Sequence, residues 1–218
     1  MAVRAAVEFV EPGMRLGLGS GRAVWATAEA IGASGVRPGL VVCAAPETER
    51  VAAAAGLPVV EPDQAPELDL ALDGADEVMR DLSVLKGGGG ALLREKLVIS
   101  CARRCVIVAE SHKLVERLGE HWRLPVEVVR FGWQGTRVRL LALCDDAERR
   151  SDPGGAPFVT DEGHHLLDCA IPARADLREL ASAVKALAGV VDHGLFLEQA
   201  DVVLLGAPDG SLVRLVRS

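Results

Sequence analysis

Three acids fall within five residues at Asp73-Gly74-Ala75-Asp76-Glu77, and nine residues later Lys86 opens a run of four glycines, Gly87-Gly88-Gly89-Gly90. A carboxylate, Glu95, follows on the next helical segment. At 100° per residue its face neighbours are Ala91, Leu92, Val98, Ile99 and Ala102, so the carboxylate is centred on an apolar arc and faces protein. Burial of that kind raises a carboxylate pKa and poises it as a general base near neutrality. The competing reading is a structural ion pair with Arg94, Lys96 or a distant arginine. Four glycines in a row are entropically costly and are not needed for a plain connection. They suit a nest of backbone N–H groups beside a helix N-terminus, which stabilises negative charge. The lysine carries information because the chain has 20 Arg and only 4 Lys, yet keeps the compact ammonium here. Together these residues read as a general base, a point cation and backbone donors for negative charge. The acidic turn alone reads equally well as a solvated turn with a helix cap.

A second glycine loop, Gly17-Leu18-Gly19-Ser20-Gly21-Arg22-Ala23, lies between an apolar strand and a helix, where backbone N–H groups can meet an anion. Arg22 stands where a dinucleotide fingerprint needs its third glycine, and no acid closes the next strand. No Gly-Lys-Ser/Thr follows, which excludes a Walker A loop. Lys113, in Glu110-Ser111-His112-Lys113, falls at a strand end on the same expected sheet edge as Asp73. The five histidines and five cysteines show no metal-ligand spacing, so no metal site is expected.

The elements that must hold these residues are legible. A helix is expected over 2–10, strands over 14–19, 40–44, 57–60, 68–73 and 106–109, and helices over 24–31, from Pro46 to Gly56, and over 91–103. Strand, loop and helix alternate, which predicts a mostly parallel, doubly wound, Rossmann-like sheet. From Pro125 the order changes to a strand at 125–131, a helix at 135–143, two short strands flanking Asp161-Glu162-Gly163, a helix at 176–188 and a strand at 194–197. That βαββαβ order predicts a smaller ferredoxin-like α+β domain. The expected division is 1–123 with 198–218 for the larger unit, the tail returning as two strands, and 124–197 for the smaller.

Composition narrows the class. The chain has 218 residues, 50% of them apolar and 25% charged, with a net charge of −7. A chain this long buries roughly 70% of its unfolded surface and needs no staple. Aromatics make up 3% and tyrosine is absent, which with the acidic balance argues against nucleic acid as partner. Apolar runs stop well short of the ~20 residues of a membrane span. The odd cysteine count without CxxC suits reduced thiols, so a cytoplasmic location is expected.

Taken together, these segments resemble the type A ribose-5-phosphate isomerase family. The strongest match is DLALDGADEVMRDLSVLKGGGGALLREKLV, residues 69–98, supported by 106–119, 124–132, 189–196 and 207–210. The resemblance implies an aldose–ketose isomerase that interconverts ribose 5-phosphate and ribulose 5-phosphate through an enediolate, needs no cofactor, and assembles as a homodimer or homotetramer. It implies that Glu95 shuttles the proton and that Asp73 and Asp76 handle the sugar hydroxyls and ring opening. Lys86, with Gly87, Gly88 and Gly89, would stabilise the enediolate. Ser20, Gly21, Arg22 and Ala23 would meet the phosphate end, with Gly74, Ala75 and Lys113 also against substrate. The family's first loop typically reads Thr-Gly-Ser-Thr, its segment after the second strand usually carries Ser or Thr where this chain has Ala45-Pro46-Glu47, and its N-terminal basic lead-in is missing here. These departures gather at the phosphate end. A different sugar phosphate, or a non-catalytic sugar-phosphate-binding paralogue, are the alternative readings.

Overall fold

The computed structural model describes residues 1–217; Ser218, the end of the expected tail, lies outside them. The larger unit opens with α1 (Ala2–Val7), β1 (Arg15–Leu18), α2 (Arg22–Ser34), β2 (Leu40–Cys43), α3 (Pro46–Ala54) and β3 (Leu70–Asp73). Two short strands, β4 (Glu77–Val78) and β5 (Val84–Leu85), precede α4 (Leu92–Ser100) and β6 (Cys105–Glu110). The smaller unit runs β7 (Leu124–Val128), α5 (Trp133–Leu140), β8 (Asp146–Arg149), β9 (His165–Ala170), α6 (Leu177–Lys185) and β10 (Val190–His193). The chain then returns through β11 (Leu195–Phe196), β12 (Val202–Gly206) and β13 (Leu212–Val216).

The main sheet has the order β13-β12-β6-β3-β1-β2, parallel throughout except at β12–β13. Its inner strands are almost continuously apolar and buried on both faces, while the edge strand β13 is largely exposed. Leu16, Leu18, Leu70 and Leu72 pack with Val24, Ala28 and Ile31 of α2 on one face. Ala71, Ile107 and Val203 pack with Ile99 of α4 on the other. The second sheet is wholly antiparallel in the order β10-β7-β9-β8. With its strands counted along the chain this is 4-1-3-2, as the βαββαβ order requires. Local rules place the helices: Pro46, Glu47 and Glu49 sit in the first turn of α3, and the Asp176 carboxylate caps α6 by accepting from the N–H groups of Arg178 and Glu179. No helix among the described residues is long and apolar enough to cross a membrane.

Several expected elements differ. The strand at 57–60 reduces to one bridge, Val41–Val59, because Pro58 removes a donor that a longer ladder needs. The helix after the first glycine loop starts at Arg22, two residues early, since the left-handed Gly21 (φ 98°) ends the turn there. The strand expected just before Asp161 is replaced by β8, twelve residues earlier, and a long arm, 150–164, joins it to β9. The fourth strand of the smaller sheet is β10, not 194–197; residues 195–196 instead pair antiparallel with β5. That ribbon, β11-β5-β4, escapes the periodicity test because each strand is two residues long.

Candidate active site

β1 and β3 are neighbours in the sheet, and their crossovers leave in opposite directions. A crevice opens at such a switch point, outside the carboxyl ends of the strands. The loop after β1, the acidic turn after β3, the glycine run before α4 and the segment after β6 line one cleft of about 180 Å³. It brings together Ser20, Gly21, Arg22 and Ala23; Gly74, Ala75 and Asp76; Lys86, Gly87, Gly88, Gly89 and Glu95; and Lys113. Every sequence-nominated residue except Asp73 therefore lines it.

Asp73 lies beneath the cleft, fully buried at the end of β3. Its Oδ1 accepts from the N–H of Ser20 at 3.3 Å and of Gly74 at 2.7 Å, and pairs with Lys86 Nζ at 2.9 Å. A Cβ on Gly19 would lie 1.9 Å from that carboxyl carbon, so glycine alone lets the first loop close over it. The geometry thus differs from the expectation that Asp73 reaches sugar hydroxyls: the carboxylate is covered by the loop it holds.

Lys86, equally buried, also donates to the Gly74 carbonyl at 2.7 Å and stands 3.3 Å from Glu95 Oε2. Burial opposes its charge, but Asp73 and Glu95 outweigh burial and hold the ammonium above its usual range. Glu95, on the first turn of α4, is 5% exposed. Desolvation and the nearby Asp73 charge, opposed by Lys86, push its pKa up to about 8. The ion-pair alternatives for Glu95 resolve elsewhere: Arg94 meets Glu162 at 2.7 Å and Lys96 meets Asp192 at 2.5 Å. Asp76 is half-buried; its Oδ2 accepts from the Gly88 N–H at 2.7 Å, leaving Oδ1 without a partner among the described residues.

At the far end of the cleft the first turn of α2 presents its N–H groups. Arg22 there is exposed and has no ion-pair or hydrogen-bond partner among the described residues. A cation at a helix N-terminus is mildly unfavourable, so a free guanidinium there is poised for an anion.

Sequence reasoning missed two supports, Thr48 and Glu77, and one wall residue, Glu110. Thr48, fully buried on α3, donates to the Gly19 carbonyl at 2.9 Å and accepts from the Trp25 indole at 3.1 Å. It stands just beyond Ala45-Pro46-Glu47 and supplies a buried hydroxyl next to that segment. Glu77, the third acid of the turn, accepts from the N–H groups of Gly119, His121 and Trp122. It holds the segment that lays Trp122 against the Lys113 ammonium at 5.2 Å; its place in an acid-rich turn was the only trace of it in the sequence. Glu110, on the wall beside Lys113, left none.

Comparison with known proteins agrees with this geometry. A family model described as ribose 5-phosphate isomerase A (phosphoriboisomerase A) matches residues 40–210. A ribose-5-phosphate isomerase A of Roseiflexus castenholzii is 46% identical over 213 residues, covering 96% of this chain and 91% of the relative. That of Deinococcus radiodurans is 42% identical over 213 residues, covering 96% and 93%. The crystal structure of ribose 5 phosphate isomerase A from Neisseria gonorrhoeae superposes with a TM-score of 0.92 at 31% identity, covering all of this chain and 95% of that one. A D-ribose-5-phosphate isomerase in complex with phospho-erythronic acid gives 0.93 at 28% identity, covering 99% and 96%. The chain belongs to the ribose 5-phosphate isomerase A family and is an aldose–ketose isomerase.

Proposed function

We propose that this cleft converts ribose 5-phosphate to ribulose 5-phosphate with Glu95 as the base that moves the proton. The observation that carries this is a buried carboxylate, raised to about 8, at the wall of a cleft and 3.3 Å from a buried ammonium. Asp76, which lines the cleft and whose Oδ1 has no partner among the described residues, takes the O1 hydroxyl proton as the ring opens and returns a proton to the ring oxygen. Glu95 removes the proton from C2 of the open aldehyde. The C2–H electrons form the C1–C2 double bond, and the carbonyl pair moves onto O1 as an oxyanion. Protonation of Glu95 cancels its charge, which frees the Lys86 ammonium for the new oxyanion beside it. Preorganised donors of this kind are worth ~3–4 kcal/mol each. A proton passes from the C2 hydroxyl to O1, and Glu95 delivers its proton to C1, giving the ketose. Asp73 holds Lys86 and the first loop in place. The residues supply this electrostatic work themselves, so the reading calls for no cofactor. The catalytic groups come from residues 1–123, and the returning strands β12 and β13 complete the sheet beneath them. The smaller unit, 124–197, braces α4. Five free cysteines suit a reducing, cytosolic setting.

The test is proton NMR in D₂O with a panel of aldose phosphates. The expected product from ribose 5-phosphate is ribulose 5-phosphate carrying solvent deuterium at C1. Turnover of another aldose phosphate in its place favours the alternative substrate, and no turnover of any favours a binding paralogue.

Arg22 belongs to the same reading as a phosphate ligand that replaces two hydroxyls with a charge. A charge-assisted hydrogen bond contributes ~1.5–3 kcal/mol. Arg22→Ser therefore raises KM about ten- to a hundredfold at ~1.4 kcal/mol per decade. Because phosphate binding is shared by ground and transition states, kcat changes little. An unchanged KM at equal ionic strength removes Arg22 from the site. A gain in ribose 5-phosphate turnover for Arg22→Ser with Ala23→Thr shows that Arg22 obstructs the pocket instead.

A further inference from the structure

The side chain of Arg150 enters from the smaller unit, just past β8, and the chemistry above does not use it. Its Nε and Nη2 are held by the Asp168 carboxylate at 2.9 and 2.5 Å. Its Nη1 donates to the carbonyl oxygens of Gly87 at 2.8 Å and Gly88 at 3.0 Å. The guanidinium, 16% exposed, thus sits behind the glycine run and is not part of the cleft wall. On the same arm, Phe158 lies 5.8 Å from the guanidinium and presses on Gly90, where a Cβ would stand 2.5 Å from its ring.

A trans peptide is planar, with its C=O and N–H pointing in opposite directions. The Gly87 carbonyl faces Arg150, so the Gly88 N–H must point away, and it does: it meets Asp76 at 2.7 Å. The Gly88 carbonyl also faces Arg150, so the Gly89 N–H points away from the guanidinium as well. Gly89 lies on the cleft wall, and its N–H has no partner among the described residues. The Gly87–Gly88 peptide is held independently, by Asp76 and by the Gly90 N–H, which donates to the Gly87 carbonyl at 3.0 Å. The Gly88–Gly89 peptide has only Arg150 among the described residues, and with glycine on both sides it flips at little steric cost. Hydrogen bonding at the carbonyl also polarises the peptide and strengthens its N–H as a donor.

We propose that Arg150, anchored by Asp168, is a positioning residue that fixes the Gly88–Gly89 peptide so that the Gly89 N–H serves as an oxyanion donor for the enediolate. The proposal rests on the Glu95 reading above. It makes the smaller unit part of the chemistry without touching substrate: an arm from the smaller unit sets a peptide plane in the loop before α4. The guanidinium fork suits the task because one edge grips the carboxylate while the remaining nitrogen bridges two carbonyls.

Arg150→Ala, Arg150→Lys and wild type are compared for kcat, KM, thermal unfolding and inhibition by phospho-erythronic acid, whose carboxylate stands in for the enediolate oxygens. Removal of one oxyanion donor costs roughly 10²–10³ in kcat, and a mobile loop retains part of that, so Arg150→Ala is expected to lose about 10–100-fold. KM for ribose 5-phosphate stays within about twofold, because the phosphate end is untouched. Phospho-erythronic acid weakens in step with kcat, inhibition by inorganic phosphate does not change, and millimolar methylguanidinium restores part of kcat. Arg150→Lys, which keeps the cation on Asp168 and one carbonyl bond, falls between. An unchanged kcat overturns the proposal, as does a KM rise as large as the kcat loss or a loss that methylguanidinium leaves untouched. Should Arg150→Ala fail to fold, Arg150→Lys alone decides on the same split of kcat from KM. The Glu95 reading is judged separately by Glu95→Gln with Arg150 intact.

Discussion

Glu95→Gln lowers kcat by roughly 10²–10⁴-fold, the usual contribution of a positioned general base. The amide keeps the volume of the side chain but cannot accept a proton from carbon. A steady-state assay decides it, and a variant with more than a tenth of wild-type kcat removes Glu95 from the role. Two pH measurements accompany it. In wild type, kcat/KM rises with pH and levels off above about 8, where Glu95 is ionised; an ordinary glutamate gives an inflection near 4.5. The stability effect runs the other way. The folded-state pKa lies above the unfolded one, so the native state binds more protons, and wild-type stability falls as pH rises from 4.5 to about 8. Glu95→Gln removes that penalty. Its Tm exceeds wild type by several degrees at pH 8.5, at ~2–4 °C per kcal/mol for a chain of this length, and the gap closes toward pH 5.

Lys86→Met has the second large effect, and it strikes stability as well as rate. Asp73 and Glu95 both depend on this one ammonium, at 2.9 and 3.3 Å. Breaking a buried pair by removing one partner costs about 3–5 kcal/mol. Two buried carboxylates then face each other without a cation, and both are pushed toward their protonated forms. The loss of Tm is therefore greatest at alkaline pH and shrinks below about pH 5, as expected for groups whose folded-state pKa is raised. The rate falls by roughly 10³-fold or more, because the oxyanion loses its cation and, without Lys86 to oppose burial, the base is held still further toward its protonated form. Calorimetry at three pH values with a kcat measurement at each checks both parts. A variant as stable as wild type at pH 8 shows that the triad is not coupled as described.

What the sequence showed and what it hid have physical reasons. The apolar strands and the switch from a βα repeat to βαββαβ are periodic signals, so the main sheet and the order of the smaller unit were legible, while two of the smaller sheet's four strands were misplaced because β8 and β10 are short and carry weak alternation. The cleft residues stood out because they break the composition: lysine in an arginine-rich chain, four glycines in a row, a carboxylate on an apolar arc. Asp73 was legible as important but not as buried, since residue type alone does not distinguish a carboxylate facing substrate from one beneath the loop that faces it. Thr48 and Glu77 act through backbone groups far away in the chain, Thr48 on the Gly19 carbonyl and Glu77 on the 119–122 loop, and single-sequence periodicity holds no record of such pairings. Arg150 is one arginine among 20, and only the three-dimensional path of the 150–164 arm gives it meaning.

The placement of the indoles carries an optical consequence. The chain has three tryptophans and no tyrosine, so near-ultraviolet excitation is absorbed almost wholly by indole. Trp25 is hydrogen-bonded to the Thr48 hydroxyl that secures the Gly19 carbonyl, and Trp122 lies against the Lys113 ammonium on the opposite wall. The third, Trp133, is edge-on to His165 in the smaller unit. Two of the three emitters thus stand one contact from the two ends of the cleft, while the third serves as an internal reference. Unlabelled protein therefore carries its own occupancy gauge: a change in emission on adding sugar phosphate, resolved by removing Trp25 or Trp122 singly, reads which end of the molecule has been engaged.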